Sequence, residues 1–410
     1  MKDEERYFLQ ILRSALHENP ADFPGVLTRK EWRGVIWLAM KHKVLPMIID
    51  ASYKEDLRNR AAIMKMSGPF VPKAKRLTYD QAQRTADFQL FYAYLTARGL
   101  RPVVVKGITA RYLYPCPEQR SSIDEDLLIC PEDIDAMHSA ALEYGFWTSA
   151  GDEDLQKAQE ITYRDKKRHL YIEVHRQLFS SDSDAYGDCN SLFEGVLDRT
   201  TEIQIYGQSI RTLSSTDHLL YLICHAYKHF LYGGVGIRQI CDICMMAEKW
   251  ADDINWEVVR NKCSKVSIIK FTAGLFRIGQ EYLGFDMPEV FADIVVDPQL
   301  LLEDVLSGGL YGVNDIKRAH SANMTLDAVA ADRAGKKRRA VAKSVFLPLR
   351  SMSKKYPYLR KLPFLLPVAW VQRVIGYISE QKSSGAAGLS KTIRIGRKRI
   401  DLLREYDIIR

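Results

Sequence analysis

Residues 103–130 read VVVKGITARYLYPCPEQRSSIDEDLLIC, and no other stretch restricts the architecture of this chain as much. Three consecutive valines predict a short strand running into Lys106-Gly107, and the residues after that turn predict a helix. A second apolar strand then carries Asp124 and Asp126, bracketed by Ile123 and by Leu127-Leu128-Ile129. Side chains at i and i+2 of a strand share a face, so the two carboxylates aim at one spot. Two like charges on a largely apolar strand cost free energy unless something positive sits between them. A divalent cation is the simplest answer.

A third carboxylate lies downstream. Residues 170–178 (LYIEVHRQL) alternate Tyr171, Glu173 and His175 on one face with Ile172 and Val174 on the other, so Glu173 projects to the polar side of a strand. If that strand neighbours the first, Asp124, Asp126 and Glu173 form an oxygen-donor triad suited to hard cations. Two Mg²⁺ ions among three carboxylates make a phosphoryl or nucleotidyl transfer centre, activating a hydroxyl and neutralising the departing pyrophosphate. Lys106 stands where a strand feeds a helix N-terminus, a place where backbone N–H groups and the helix dipole receive phosphate. His175 reads equally as a site residue or as a satisfied strand histidine.

The order strand, Lys-Gly, helix, Arg120, Asp-x-Asp, helix, strand with Glu resembles the DNA-polymerase-β-like nucleotidyltransferase superfamily. More narrowly, the chain is similar to a bacterial family of uncharacterised nucleotidyltransferases in Lys106-Gly107, Tyr114-Pro115, Arg120, Asp124/Asp126 and Glu173/His175. The likeness continues through residues 218–246 (HLLYLICHAYKHFLYGGVGIRQICDICMM) and touches residues 32–48. It implies transfer of an NMP group from an NTP to a hydroxyl acceptor. Asp124 and Asp126 would hold both metals, and Glu173 would complete the acceptor-side metal and promote deprotonation of the hydroxyl. Lys106, Gly107 and Arg120 would cradle the triphosphate. His229, Arg238 and Asp242 become nucleotide-site candidates by the same resemblance; without it, Arg238 and Asp242 are an i, i+4 pair on a helix surface. The sequence departs from the superfamily in two places. Lys106-Gly107 stands where Gly-Ser is common, as it does in the narrower family. Glu125 occupies an inward position normally apolar, which either weakens the strand reading or means a solvated face at this sheet edge, and in both cases speaks against full activity.

The organisation follows from periodicity. Residues 1–99 predict an N-terminal helical region in which Thr28-x-x-Glu31 is a capping box, with Leu27 and Trp32 as its hydrophobic staple. Another helix is predicted over residues 80–98. Residues 100–213 switch to short apolar runs, ending in a hairpin around Gly207, and residues 131–144 predict a helix stopped by Gly145. Residues 214–325 are helical again, opened by a second capping box at Ser214-x-x-Asp217. His218, His225 and His229 recur at i, i+7 and i+11 on one helix face, compatible with cleft lining, a hydrogen-bonded structural stripe or a metal pair. Cys241-x-x-Cys244 lacks a second pair and reads as two small core residues rather than zinc ligands. The predicted fold class is α+β: a small mixed sheet, the nucleotidyltransferase core, flanked by N- and C-terminal helical regions.

Residues 326–410 differ in kind. Positions 331–410 hold 20 Lys and Arg against 5 Asp and Glu, whereas the rest of the chain holds 39 against 46, so the net +8 belongs to this tail. KKRR at 336–339, the aromatic and proline-rich run 354–377 and a second basic run at 394–399 fit three uses. The tail could bind an anionic membrane surface, bind nucleic acid through phosphates, or pack on the acidic body. Seven cysteines without regular spacing, the absence of a signal-like start and the lack of any bilayer-length apolar run predict a cytoplasmic protein, peripheral at most to the inner membrane face. Two rival functions stand beside the enzyme: a catalytically weak nucleotidyltransferase-like scaffold, and a membrane- or nucleic-acid-binding protein acting through the tail. The acceptor (small molecule, sugar or protein) is not specified by the sequence.

Overall fold

The computed structural model describes residues 1–19, 27–54, 63–151, 155, 158–165, 170–309, 325–326, 328–330, 332–333, 352, 356–360, 362–372 and 388–409. The KKRR run lies outside the described residues.

Six strands form one mixed sheet: β1 Val103–Val104, β2 Asp124–Leu128, β3 Glu160–Asp165, β4 Leu170–His175, β5 Thr200–Ile205 and β6 Gln208–Leu213, in the order β3-β4-β2-β1-β6-β5. β2 runs parallel to β4 with Asp126 beside Glu173, and antiparallel to β1 with Val104 beside Leu127. β5 and β6 turn on Tyr206-Gly207, both at positive φ (50° and 80°), the left-handed pair that a two-residue hairpin needs. β3 has no counterpart among the predicted strands. Only Ile161 and Tyr163 among its six residues are apolar, as suits a strand at the sheet's end that pairs along its length with β4 and on its other side bridges only Trp147, through Arg164.

The helices are α1 Asp3–His17, α2 Arg29–Lys41, α3 Leu45–Tyr53, α4 Val71–Thr96, α5 Ile108–Arg111, α6 Ile134–Tyr144, α7 Ser215–Tyr232, α8 Ile237–Lys249, α9 Trp256–Lys265, α10 Ile269–Ile278, α11 Pro298–Gly308 and α12 Gly388–Glu405. The N-terminus of α2 is capped as the sequence predicts: Thr28 Oγ accepts from Glu31 N at 3.3 Å and Glu31 Oε2 accepts from Thr28 N at 2.7 Å. Leu27 and Trp32 are both buried beneath it. Ser214 Oγ likewise accepts from Asp217 N at the start of α7. α4 begins nine residues before the predicted 80, and α6 begins at Ile134 after a single 3₁₀ turn over Pro131–Asp133.

Alternation along the strands divides the core. Val104, Leu127, Ile172 and Val174 pack under Phe88, Phe91 and Leu95 of α4 and Ile134 and Met137 of α6. Val103, Val105, Leu128 and Leu213 face the opposite way, into one apolar cluster shared by α1–α3 and α7–α11. Asp124 and Asp126 have the parity of Leu128, so the carboxylates open toward that second, helical layer. Cys241 and Cys244 are free thiols buried in the same cluster.

The chain's last residues join it too. Leu402, Leu403, Tyr406, Ile408 and Ile409 are buried there, and buried Arg399 donates to the carbonyl of Phe230 in α7. No helix among the described residues is long and apolar enough to cross a membrane.

Candidate nucleotidyl transfer site

The Lys106-Gly107 turn is built on the residue that looked out of place. Gly107 adopts φ 84° and ψ −111°, and a Cβ there would lie 1.9 Å from Glu125 Oε2. Only glycine fits. Glu125 accepts from Ile108 N at 2.7 Å, capping the short α5, and pairs with Arg111 Nη2 at 2.5 Å. Both members of the pair are buried. Burial pushes the Glu125 carboxyl up, while Arg111 and the Ile108 amide pull it back. The expectation of a solvated sheet edge is therefore corrected: Glu125 lies on the α4/α6 side, opposite Asp124 and Asp126, and fastens the turn from beneath.

On the other side the carboxylates gather as the register requires. Lys106 Nζ lies 3.5 Å from Asp126 Oδ2 and 3.9 Å from Asp124 Oδ2. His175 Nε2 lies 3.2 Å from Asp126 Oδ1 and 4.0 Å from Glu173 Oε2. Its Nδ1 is 3.7 Å from Glu160 Oε2 on the neighbouring strand. Burial opposes the charge on Asp126, but the Lys106 ammonium and hydrogen bonding from His175 and Glu173 outweigh it and hold the carboxyl below the usual range. Glu173 goes the other way. Burial, then the charges of Asp126, Glu160 and Asp124, push it up to about 8. Three neighbouring carboxylates thus oppose its ionisation, and Lys106 only partly offsets them.

Asp126, Glu173 and His175 each offer a ligand atom, all within 4.8 Å of one another. Two carboxylates and an imidazole suit a divalent cation. Asp126 Oδ2 is buried and accepts no hydrogen bond, its neighbour being the Lys106 ammonium at 3.5 Å. The residues fit a metal. The grouping differs from the expected triad in one member: His175 joins Asp126 and Glu173, while Asp124 stands on the same face beside Lys106.

The remaining candidates sit around this centre in two ways. Arg120 is fully buried and clamps Asp242 with two bonds, Nε to Oδ1 at 2.8 Å and Nη2 to Oδ2 at 2.6 Å, and Tyr114 donates to the same carboxylate at 2.7 Å. These bonds tie residues 114–120 to α8. Arg238 is buried rather than a surface partner of Asp242, and it donates to the carbonyl of Ser121, just before β2. The histidine stripe divides. His218 Nε2 bonds the Val105 carbonyl at 2.8 Å and holds α7 to the sheet. His225 and His229 contact each other, Nε2 to Nε2, at 3.1 Å. Burial first, then Lys106, keeps both rings well below their usual pKa, so two neutral imidazoles overlook the lysine of the site.

Sequence reasoning missed Lys43 and Arg84. Both interact electrostatically with the Asp124 neighbourhood although they lie far away in the chain. Nothing local marks them: Lys43 lies in a turn and Arg84 in the middle of α4, and only the tertiary structure brings Arg84 to the Ser122 carbonyl.

Among known proteins, no curated protein and no solved structure matches the chain. A family model described as uncharacterised nucleotidyltransferase does match, over residues 28–284. That interval is more than half of the chain and contains the sheet, the Lys-Gly turn and every residue of the site described above, and the chain belongs to this nucleotidyltransferase family.

Proposed function

We propose that the protein transfers an NMP group from an NTP to a hydroxyl acceptor with Mg²⁺ at the Asp124/Asp126/Glu173 centre, as the DNA-polymerase-β-like superfamily does. The observation that carries this reading is the convergence of Asp126, Glu173 and His175 within 4.8 Å, with Asp124 on the same face, in a chain of a nucleotidyltransferase family. Asp124, Asp126 and Glu173 would hold the metal, with His175 beside them. Bound Mg²⁺ would supply positive charge that ionises Glu173, acidifies the acceptor hydroxyl and stabilises the departing pyrophosphate.

The protein's own groups then have distinct tasks. Lys106 keeps Asp126 ionised. Glu173, once ionised, takes the hydroxyl proton as the acceptor oxygen bonds to the α-phosphorus. The bond from that phosphorus to its bridging oxygen breaks, and the electron pair leaves with pyrophosphate. Gly107 admits the Glu125 carboxylate that holds the turn after Lys106. Arg120 and Asp242 fix the loop that leads to β2, and His229 and Arg238 line the nucleotide side.

Isothermal titration of ATP, GTP, CTP and UTP, with and without Mg²⁺, tests the proposal on wild type and on Asp124→Asn/Asp126→Asn. Binding of one NTP that requires Mg²⁺ and is lost in the double variant is expected. Absence of binding by the wild type to all four would overturn the reading.

The tail supports a second role. Phe364, Val368 and Val371 recur at i, i+4 and i+7 and are 72%, 46% and 57% exposed, in a basic segment whose own small cluster is Met352, Leu359 and Ala369. An apolar stripe among cations suits an anionic membrane surface better than nucleic acid. Cosedimentation with phosphatidylserine vesicles, reduced by Phe364→Ser/Val371→Ser, is the expected result; no binding to such vesicles would remove this role.

A further inference from the structure

We propose that Lys43, Arg84 and Arg238 form a polyphosphate subsite beside Asp124, which takes the β- and γ-phosphates of the NTP and holds pyrophosphate as it leaves. The reaction in this statement rests on the nucleotidyltransferase reading; the binding chemistry does not.

The argument begins with which cations are already neutralised. Lys106 lies against Asp126 and Asp124, Arg111 against Glu125, and Arg120 against Asp242. Lys106 and Arg120, the cations that the family resemblance placed on the triphosphate, therefore have carboxylate partners within the fold. Lys43, Arg84 and Arg238 have no carboxylate at ion-pair distance among the described residues, and backbone contacts carry Arg84 and Arg238 to the loop before β2 and the Lys43 turn to the start of α8.

Backbone geometry enforces that meeting. Arg84, on α4, donates from Nη1 to the carbonyl of Ser122 at 2.9 Å. Arg238, on α8, donates from Nη1 to the carbonyl of Ser121. Two guanidiniums from different helices thus hold consecutive carbonyls of the loop that enters β2 at Asp124. Lys43 sits in the turn after α2 at φ 59°, a left-handed conformation that a lysine adopts at a cost. Its neighbour His42 is fully buried and accepts from Ile237 N at 3.2 Å, which pins the turn to the residue before Arg238. Arg238 Nε and Ser121 Oγ are buried without hydrogen-bond partners, as groups awaiting a ligand would be.

The electrostatics agree. Partial desolvation, then Arg238, with a further push from Arg84, lower the pKa of Lys43; Asp124 opposes them. Three like charges held close together repel, and a polyanion relieves that repulsion with charge-assisted hydrogen bonds. Position fits the reaction as well. Glu173 and His175 flank β2 from β4, whereas the three cations gather at the loop leading into β2. The leaving phosphates are drawn away from the carboxylate that takes the proton, as in-line transfer requires.

The test uses the full chain and the variants Lys43→Asn and Arg84→Gln. Asparagine tolerates the left-handed turn, and glutamine keeps an amide donor toward Ser122. Titration with inorganic tripolyphosphate alone, and with Mg-NTP and NMP, separates the claims. Each variant is expected to weaken tripolyphosphate and NTP binding about tenfold while NMP binding stays within about twofold and the melting temperature holds. NTP and tripolyphosphate affinities unchanged in both variants would overturn the subsite. A wild type that binds tripolyphosphate through Lys43 and Arg84 but no NTP would sink the transferase reading and leave the polyanion site standing. A wild type that binds no tripolyphosphate would remove the subsite whatever its NTP affinity.

Discussion

Three adjacent acids, Asp124, Glu125 and Asp126, have opposite fates because a strand turns successive side chains to opposite faces. The outer two reach the site; the middle one becomes the anchor of the Lys106-Gly107 turn. The i, i+2 logic was readable from sequence since it needs only the strand period. The partner of Glu125 was not readable, because Arg111 lies 14 positions earlier and meets it only after α5 has turned back over β2. The same distance in sequence hid the Arg120–Asp242 clamp, whose members are 122 positions apart. A prediction belongs here. Glu125→Ala leaves the buried Arg111 guanidinium without its counter-charge and strips the Ile108 amide of its acceptor. It should cost about 3–5 kcal/mol in urea unfolding. Glu125→Met/Arg111→Met removes both charges and should recover much of that loss. A double variant no more stable than Glu125→Ala would show that the pair does not act as a unit.

At the scale of elements, what is local was legible. The caps of α2 and α7, the Tyr206-Gly207 hairpin and the Gly145 stop of α6 each depend on residues a few positions apart. β3 was not legible, since its identity comes from pairing with β4 rather than from its own composition. The α7 histidine stripe was visible as a stripe, yet its division required the tertiary structure: one ring bonds β1's continuation, two overlook Lys106. His218 carries a consequence for pH. Burial lowers its pKa from 6.5 to about 4, partly offset by the bond to the Val105 carbonyl. The unfolded chain takes up a proton near 6.5 that the folded chain refuses until about 4, so the stability held above pH 6.5 is lost as pH falls toward 4. His42, lowered to about 3 by burial and Lys41, acts in the same sense. Chemical denaturation between pH 7 and 4 should show this decline. His218→Asn should lower stability at pH 7 and flatten the slope; an unaltered slope would assign the acid sensitivity elsewhere.

Across the whole molecule, charge asymmetry was plain in the sequence, and it left open whether the tail binds a membrane, binds nucleic acid or packs on the body. Residues 399–409 pack on the body. Leu402, Leu403, Tyr406, Ile408 and Ile409 enter the apolar cluster of the helical layer, and Tyr406 lies so close to Gly274 that a Cβ there would meet its ring at 2.6 Å. Tyr406 Oη also donates to the carbonyl of Asp297 at 2.9 Å. Each fully buried large side chain contributes about 1.5–3 kcal/mol, and five of them rival the roughly 5–15 kcal/mol that holds a typical domain folded. Removing residues 388–410 should therefore expose the helical layer and leave an aggregating or protease-sensitive chain, whatever the tail does to membranes. Gly274→Val, which displaces Tyr406 without shortening the chain, should lower the melting temperature, whereas Phe364→Ser/Val371→Ser, altering exposed positions, should not. If the truncated chain melts like the full one, the α12 packing contributes nothing to the body. The basic tail would then act independently of the body.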